Sequence, residues 1–270
     1  MGKRRQVGTL VQAGVLTIAG SDSGGGAGIQ ADACTIRALG GHALAAVTAV
    51  TAQNTLGIRA WRPVPPDLIR SQIEAVLDDF SVRAVKTGLL PSPAAIRAVG
   101  SALARMPRLP LVVDPVIGSS SGTRFLSPEG VRTLKRVLLP RAALVTPNWP
   151  EAAALAGRPV CSFAQAEEAA RRLLTSGCRA VLVKGGHGPG PVCRDFLATS
   201  EGRECWFESA RVGTGNTHGT GCVLSSAIAC FLARGDGVEA AVDQARRFLL
   251  KALETGRTLR WGRGAGPAFG

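Results

Sequence analysis

The sequence predicts a single α/β domain in which a mostly parallel sheet carries helices on both faces. Short apolar runs with the length of buried strands alternate with helical patterns, which is the arrangement of parallel βαβ units. A glycine-rich loop connects the first apolar run to the first helical pattern. No Pro/Ser-rich linker, low-complexity run or internal repeat divides the 270 residues. We therefore predict one domain over residues 15–270, preceded by a short N-terminal extension over residues 1–14.

The predicted elements follow one another along the chain in a regular order. The first is a buried strand at 15–19, followed by the glycine-rich loop at 20–28 and a helix at about 30–39. The later buried strands are predicted at 84–86, 111–114, 143–146 and 180–184, and the helices around them at 66–79, 92–105, 129–137, 149–156 and 164–176. Short strands at 192–198 and 204–212 form a hairpin through 200–202, and helices at about 221–234 and 238–255 end the chain.

The composition argues against a nucleic-acid partner and against a membrane span. The formal net charge is +13, with 32 Lys and Arg residues. These residues are dispersed, with no basic run beyond 3–5, and the absence of Tyr and the four Trp leave few surfaces on which bases can stack. We therefore expect anionic small molecules, and no nucleic acid, as partners. No uninterrupted apolar run reaches the length of about 18 residues that a membrane helix needs.

The cysteines predict a reducing compartment. Seven cysteines are scattered along the chain, and none of them forms a C-x-x-C pair. This usage fits a reducing cytosol better than a disulfide framework. The N-terminus is basic at 3–5, but the segment 6–12 is too polar and too short for the apolar core of a signal peptide. We therefore expect a cytoplasmic protein.

The most informative segment is the glycine-rich turn at 216–222. A turn of this kind at the start of a helix gathers backbone N–H groups and the positive end of the helix dipole, which together bind a phosphate. Gly219 and Gly221 let the backbone approach an anion, and Cys222 lies in the first turn, where the pKa of a thiol tends to fall. The segment therefore predicts phosphoryl transfer with Cys222 as the candidate base. A helix start that is merely capped by Thr220 is the alternative.

Motifs exclude two common nucleotide-binding classes. The chain contains no Walker-A pattern, so it is not a P-loop kinase. Residues 26–31 match the dinucleotide fingerprint G-x-G-x-x-A, which also needs an acidic residue about 20 positions further on to hold a ribose. The corresponding region, 45–52, contains no carboxylate. The sequence therefore does not support a dehydrogenase.

Charged and polar side chains follow the predicted strands at the edge where ligands bind in parallel sheets. Asp114, Thr146 and Lys184 lie at three of these strand ends. Asn148 and Glu151 have the spacing of a capping box, but Asp114 and Glu151 also provide the two carboxylates that Mg²⁺ uses when it bridges phosphates. We favour a metal-linked role over capping alone, because the phosphate turn lies at the same edge. Lys184 can reach a phosphate as a point charge.

Together, these residues resemble the hydroxymethylpyrimidine/phosphomethylpyrimidine kinases of thiamine biosynthesis, which belong to the ribokinase-like superfamily. The resemblance covers nearly the whole chain, and its matching blocks are 16–32, 51–55, 85–90, 113–116, 146–148, 184–187, 218–222 and 264–267. It implies a ribokinase-like three-layer sandwich, ATP and Mg²⁺ as cofactors, and a homodimer. The implied activity is phosphorylation of the hydroxymethylpyrimidine and then of its monophosphate to the diphosphate.

The resemblance also assigns roles to individual residues. The pyrimidine would bind against the first glycine-rich loop and an amide, which offers both a donor and an acceptor to an aminopyrimidine edge. In the catalytic turn, Cys222 stands where many relatives carry an aspartate that takes the hydroxyl proton. The residues concerned are Gly20, Asp22, Gly24 and Gln53 for the pyrimidine, Gly219, Thr220, Gly221 and Cys222 for catalysis, Lys184, Asn148 and Thr217 for ATP, and Asp114 and Glu151 for the metal.

The sequence departs from the family pattern at three positions. Ser120 and Gly215 stand where the family usually has lysines near the nucleotide, and Ala265 stands where it has a histidine. Lys184 or an arginine would then have to supply the missing positive charge.

Three other functions remain open at this stage. Some pyridoxal kinases share the glycine turn, but they lack the block 52–55, so Gln53 favours hydroxymethylpyrimidine over pyridoxal as the acceptor. A pyrimidine-binding relative without catalysis would explain the lost lysines. A cysteine hydrolase that uses Cys222 and His218 belongs to a different enzyme class, and it would leave Asp114 without a role.

Overall fold

The computed structural model describes residues 14–119 and 122–268. Nine strands form one sheet. They are β1 (Gly14–Ser21), β2 (His42–Asn54), β3 (Gly57–Pro63), β4 (Val82–Thr87), β5 (Leu111–Val113), β6 (Leu144–Val145), β7 (Ala180–Val183), β8 (Val192–Thr199) and β9 (Glu204–Ala210). The helices are α1 (Gly28–Ala38), α2 (Pro66–Asp79), α3 (Pro93–Leu103), α4 (Pro128–Val137), α5 (Trp149–Ala156), α6 (Phe163–Leu174), α7 (Thr220–Ala233) and α8 (Val238–Gly256), and Leu139–Arg141 is a short 3-10 helix.

The sheet is parallel in its centre and antiparallel at both ends. Its strand order is β3-β2-β1-β4-β5-β6-β7-β8-β9. Six adjacent strands in this order run parallel to one another, namely β2, β1, β4, β5, β6 and β7. β3 pairs antiparallel with β2, and the hairpin of β8 and β9 continues the sheet antiparallel from β7.

Hydrophobic cores lie on both faces of the sheet and share its strands. Along β1, Leu16 and Ile18 belong to the core beneath α2 to α6, whereas Val15 belongs to the core beneath α1, α7 and α8. The same alternation continues in β5, where Val113 and Val112 belong to opposite cores. The predicted mostly parallel α/β sheet with helices on both faces is therefore confirmed.

The sequence pattern does not predict the two strands β2 and β3. β2 is rich in small residues, and buried and exposed positions follow one another irregularly along it. β3 is largely exposed and includes Arg59 and Arg62. The apolar run of β2, at 43–47, is mostly alanine, which is uncommon in strands, and β3 has no apolar run. Pairing with β1 is what holds β2 in the sheet.

Several predicted boundaries need correction. Gly14, predicted to belong to the N-terminal extension, is the first residue of β1, and the rest of that extension, 1–13, lies outside the described residues. Ser120 also lies outside them. The strand predicted at 143–146 is only Leu144–Val145. The seven cysteines lie in the described ranges and are free thiols. No helix in the described part of the chain has the length and hydropathy that a bilayer crossing needs.

Candidate active site

The glycine turn lies at the start of α7 and packs against the first glycine-rich loop. Gly219 is the N-cap residue and has a φ of 77°. A Cβ atom on Gly219 would lie only 1.9 Å from the carbonyl oxygen of Gly26, so the close approach of the two loops requires glycine. No side chain of the described residues caps α7, and the alternative of a start capped by Thr220 is therefore wrong. No hydroxyl or carboxylate cap competes with an anion at this helix end.

Two charged side chains reach this turn from the neighbouring strand ends. A Cβ atom on Gly221 would lie 3.1 Å from Lys184 Nζ and 3.6 Å from Asp114 Oδ2. Lys184 donates to Asp114 Oδ1 at 2.8 Å, and Thr146 donates to the same oxygen at 3.1 Å. Burial alone would raise the pKa of Asp114, but Lys184 and Lys86 hold it below its usual value. An ionised carboxylate and an ammonium group therefore lie beside the glycine turn.

Asn148 and Glu151 form the capping box that their spacing indicates. Asn148 Oδ1 accepts from the backbone N–H of Glu151 at 2.9 Å, and Glu151 Oε2 accepts from the backbone N–H of Asn148 at 2.8 Å. Burial raises the pKa of Glu151 to about 7, with Lys184 opposing this effect and Asp114 adding to it. Capping is therefore one role of Glu151, and its metal-linked role stays a prediction.

The acidic groups at this edge suit a magnesium ion that is shared with a nucleotide. Within 14–119 and 122–268, no three His, Cys, Asp or Glu side chains are grouped as a metal site built by the protein alone. Mg²⁺ does not need such a group, because it keeps several waters and binds through one or two carboxylates plus substrate phosphates. Asp114 and Glu151, which interact electrostatically, fit that donor set.

Cys222 lies in the first turn of α7, as predicted, but its thiol is not activated there. Burial raises the pKa of Cys222 to about 11, while Lys86 opposes this rise and Asp32 and Asp114 add to it. The predicted lowering of this pKa is therefore wrong. Desolvation and two nearby carboxylates outweigh the helix dipole and the lysine. The thiol is protonated at neutral pH.

Asp22 organises the first glycine-rich loop. Its carboxylate accepts from the backbone N–H groups of Gly24 at 2.8 Å, Gly26 at 3.1 Å and Ala27 at 2.9 Å, and its Oδ2 atom lies 2.8 Å from His218 Nε2. Burial alone would raise the pKa of Asp22, but the bonds to His218 and to the loop backbone hold it below its usual value. Asp22 is therefore an ionised acceptor that shapes the loop.

Of the other predicted pyrimidine residues, Gly24 lies beside Gln53, near the end of β2. Gln53 Nε2 is 3.0 Å from His218 Nε2, and the carbonyl oxygen of Gln53 accepts from Ser23 Oγ at 2.7 Å. Gly24 lies against the same segment, since its Cβ would be 3.6 Å from that carbonyl oxygen. Gly20 is buried within β1. The structure thus brings Gln53 and Gly24 together and places Gly20 behind the loop.

His218 is the residue of this cluster that the sequence analysis does not assign to substrate binding. Its Nε2 atom contacts both Asp22 and Gln53, so that nitrogen is engaged away from Cys222. The arrangement removes the main support for a cysteine hydrolase. The available sequence signal is the position of His218 directly before Gly219, which places it where the two glycine-rich segments meet.

A buried charge cluster lies behind Cys222, and no motif in the sequence predicts it. Lys86 Nζ donates to both carboxylate oxygens of Asp32 at 2.8 Å. Thr17 and Ser226 donate to the same carboxylate. Burial alone would lower the pKa of Lys86, but Asp32 raises it above its usual value. A lysine inside an apolar strand is the sequence signal for such a partner.

Thr217, the remaining residue predicted for ATP, is exposed in the segment before α7. Gly215, which stands where the family usually has a lysine, is exposed in the same segment. Arg211 donates to three backbone carbonyls of the loop 185–191, so it shapes that loop. Lys184 reaches the glycine turn and is therefore the better candidate for the charge that the missing lysines would supply.

Comparison with known proteins identifies the family. The model of the phosphomethylpyrimidine kinase family matches residues 22–269. A hydroxymethylpyrimidine/phosphomethylpyrimidine kinase of Haemophilus influenzae is 41% identical over 256 residues, which are 94% of each chain. Among solved structures, a phosphomethylpyrimidine kinase of Clostridium difficile has a TM-score of 0.78 and 38% identity, covering 89% of this chain and 99% of its own.

A pyridoxal kinase is also similar in fold. The ADP complex of the Bacillus subtilis pyridoxal kinase superposes with a TM-score of 0.88 at 32% identity, covering 96% of this chain and 97% of its own. The fold is therefore ribokinase-like, and fold similarity alone does not separate the two kinds of kinase. The family match extends over nearly all of the described residues and includes the glycine turn and most of the first glycine-rich loop. The chain belongs to the phosphomethylpyrimidine kinase family.

Proposed function

We propose that this kinase transfers the γ-phosphoryl group of ATP to the hydroxymethyl group of 4-amino-5-hydroxymethyl-2-methylpyrimidine, and then phosphorylates the monophosphate to the diphosphate, in thiamine biosynthesis. The observation that carries the proposal is the direct contact between two parts of the site. The cluster of Asp22, Gln53 and His218 adjoins the phosphate turn, because His218 precedes Gly219 in the chain. A pyrimidine held by that cluster would present its hydroxymethyl group to the turn.

The nucleotide would bind at the edge formed by the strand ends and the start of α7. Lys184, Asn148 and Thr217 would contact ATP, and Asp114 and Glu151 would hold Mg²⁺. When bound, Mg²⁺ neutralises part of the phosphate charge. The turn at Gly219 to Gly221 would stabilise the charge of the transferring group. Support comes from the ammonium group of Lys184 beside the turn and the absence of a side-chain cap on α7 among the described residues.

Cys222 would orient the acceptor hydroxyl and take its proton when the sulfur is a thiolate. Because its pKa is about 11, the thiolate is scarce at neutral pH and the activity should rise as the pH rises. Most of the catalysis would then come from positioning and from the electrostatic field of the turn, as is usual in phosphoryl transfer. Lys86 stabilises the thiolate, since it lowers the pKa of Cys222.

Phosphorylation of pyridoxal is the second candidate function. The similarity of the fold to a pyridoxal kinase favours it. Against it stands Gln53, whose amide lies 3.0 Å from His218, the residue directly before the glycine turn. A catalytically inactive pyrimidine binder is the remaining alternative, and it would bind the pyrimidine without consuming ATP.

We also propose that the enzyme is a cytoplasmic homodimer. The family resemblance supports the dimer, and the free thiols suit a reducing compartment. Light scattering on the eluate of a size-exclusion column gives the mass of the assembly. A mass of one chain at the protein concentration of the activity assay would contradict the dimer.

The decisive test is the identity of the phosphorylated product. Purified protein receives ATP and Mg²⁺ with hydroxymethylpyrimidine, its monophosphate or pyridoxal, and mass spectrometry resolves the products. We expect the mono- and diphosphate of the pyrimidine, and no product after the magnesium is chelated. If pyridoxal phosphate is the dominant product, pyridoxal is the acceptor and the proposed function is wrong. If no acceptor is phosphorylated, the protein binds the pyrimidine without catalysis.

A further inference from the structure

The neighbours of His218 and Gln53 determine whether His218 Nε2 carries a hydrogen and which way the amide of Gln53 is oriented. His218 Nε2 lies 2.8 Å from Asp22 Oδ2 and 3.0 Å from the atom placed as Gln53 Nε2. A ring nitrogen of histidine either carries a hydrogen and donates, or has a lone pair and accepts. Nε2 therefore cannot donate to Asp22 and accept from an amide N–H of Gln53 at the same time.

Asp22 decides which of these states Nε2 adopts. Its carboxylate already accepts from three backbone N–H groups of the glycine-rich loop. Such donors favour the ionised form, which can only accept hydrogen bonds. A lone pair on Nε2 would face a negatively charged oxygen at 2.8 Å. Nε2 must therefore carry a hydrogen and donate it to Asp22.

Gln53 lies 3.0 Å from this same N–H, and an amide N–H there would set two hydrogens against each other. The group of Gln53 that faces His218 must consequently be its amide oxygen, which shares the single Nε2 hydrogen with Asp22 as a second acceptor. The oxygen and nitrogen of a glutamine amide have nearly the same shape, so the hydrogen-bond network assigns them. A second neighbour gives the same answer independently. Thr51 Oγ1 donates its single hydrogen to the carbonyl oxygen of Ser21 at 2.9 Å, so the lone pairs of Thr51 are what remain for Gln53, 3.5 Å away. That side of the amide must therefore be the NH₂ group.

We propose that Asp22, His218 and Thr51 are positioning residues that lock the amide of Gln53 in one orientation, with its oxygen towards His218 and its nitrogen towards Thr51. This inference rests on the proposed function and extends it to substrate specificity. The locked amide retains one N–H and one lone pair for a ligand, in a fixed order. A ring nitrogen next to an exocyclic amine matches that order in one orientation only. His218 thereby determines towards which side the hydroxymethyl group of the ring points.

A substrate analogue with the reversed pattern tests the lock. In 5-hydroxymethyl-2-methylpyrimidin-4-one, a ring N–H donor stands next to a carbonyl acceptor, which requires the opposite orientation of the amide. The wild type should discriminate against this analogue by about 100-fold or more in kcat/KM, because an amide covered by the bound ring would be left unpaired. His218→Leu removes the donor that holds the amide oxygen, and the discrimination should fall below about 10-fold.

Matched variants separate positioning from a general loss of structure. His218→Gln keeps an N–H donor for Asp22 and should restore most of the discrimination. His42→Gln changes an exposed histidine at the start of β2, which stacks on Phe80, and should behave as the wild type. If the wild type phosphorylates the aminopyrimidine and His218→Leu discriminates between the two substrates as strongly as the wild type, the proposed lock is overturned. A wild type that phosphorylates no pyrimidine would instead refute the proposed function.

A spectroscopic measurement tests the proton arrangement without any turnover. The chain has three histidines, so long-range proton–nitrogen correlation spectra of protein with labelled histidine are simple, and the spectra of His218→Gln and His42→Gln assign them. We expect a hydrogen on Nε2 of His218 under the conditions of the activity assay. A neutral ring with its hydrogen on Nδ1 alone would overturn the proposal, even if the His218→Leu variant failed to fold.

Discussion

At the scale of the residue, Cys222 shows how burial can outweigh a helix terminus. The first turn of a helix lowers a thiol pKa when the thiol is accessible and cations surround it. Here the thiol is buried, and the carboxylates of Asp32 and Asp114 oppose the favourable charge of Lys86. The motif therefore identifies the position of the sulfur correctly, while its ionisation depends on charged residues that are distant in sequence.

Removal of the thiol should affect turnover and leave binding largely intact. We expect Cys222→Ala to lower kcat by about 100-fold or more, the usual contribution of a positioned proton acceptor, with a pyrimidine dissociation constant close to that of the wild type. Steady-state kinetics and calorimetric titration measure the two quantities. Cys161→Ala, which changes an exposed thiol outside the site, is the control. Full activity of Cys222→Ala would remove the sulfur from the mechanism.

Glu151 should make the stability of the protein without magnesium depend on pH. Its pKa is about 7 in the folded state against 4.5 for an ordinary glutamate. The folded chain therefore keeps a proton that the unfolded chain loses, and this stabilisation is complete below pH 4.5 and disappears as the pH rises through about 7. Glu151→Gln stays neutral and retains the capping box.

The measurement is the free energy of unfolding of both proteins in denaturant between pH 4.5 and pH 8. As the pH rises across this range, the free energy of unfolding of the wild type should fall by up to about 3 kcal/mol relative to Glu151→Gln, and most of this fall should occur below pH 7. A constant difference between the two proteins over the whole range would show that burial does not perturb this carboxyl group.

At the scale of the element, the buried pair of Lys86 and Asp32 joins β4 to α1. Both side chains are fully buried, and the carboxylate is further bonded to Ser226 of α7. Two helices of one face are therefore tied to the centre of the sheet behind the glycine turn. Such a pair contributes little net stability compared with apolar residues of similar size, but loss of one partner leaves a charge buried alone.

We expect Lys86→Met to lower the free energy of unfolding by about 3–5 kcal/mol, because Asp32 would keep an unpaired buried charge. The double variant Lys86→Met with Asp32→Asn removes both charges, and the asparagine can still accept from Thr17 and Ser226. It should be more stable than Lys86→Met alone. Denaturant unfolding monitored by circular dichroism measures both variants. A double variant that is less stable than the single one would show that the charge is not the cause.

Elements with a strong pattern are predictable from the sequence, and elements held by pairing are not. The helix predicted at 66–79 is α2, because its apolar residues repeat at the helical period and Pro66 starts it. β3 gives no such signal, since its side chains are mostly exposed and its place depends on antiparallel pairing with β2. The central strands of the sheet can therefore be predicted from the sequence, whereas the edge strand β3 depends on tertiary contacts.

At the scale of the whole molecule, the same division applies to the candidate site. The glycine turn, Asp114 and the capping box of Asn148 and Glu151 are local motifs, and the sequence identifies them. The contact of His218 with Asp22 joins positions 196 residues apart, and the bond of Lys86 to Asp32 joins positions 54 apart. No local pattern encodes such contacts, so their existence follows only from the folded sheet.

The two cores lead to a prediction about unfolding. They lie on opposite faces of the same strands, so neither can lose its packing while the sheet persists. Ile18 belongs to one core and Leu182 to the other. We therefore expect one cooperative thermal transition for the proposed single domain, with a calorimetric to van't Hoff enthalpy ratio close to unity.

Variants in the two cores should act on that one transition. Ile18→Ala and Leu182→Ala each remove a fully buried side chain, and each should lower the stability by about 2–5 kcal/mol. Differential scanning calorimetry should show the whole endotherm moving to lower temperature in both variants. The strands β1, β5 and β7 contribute side chains to both cores, so loss of packing in one core destabilises the other. An endotherm that splits, with each variant moving a different part, would mean that the two faces unfold separately and that the strands they share do not couple them.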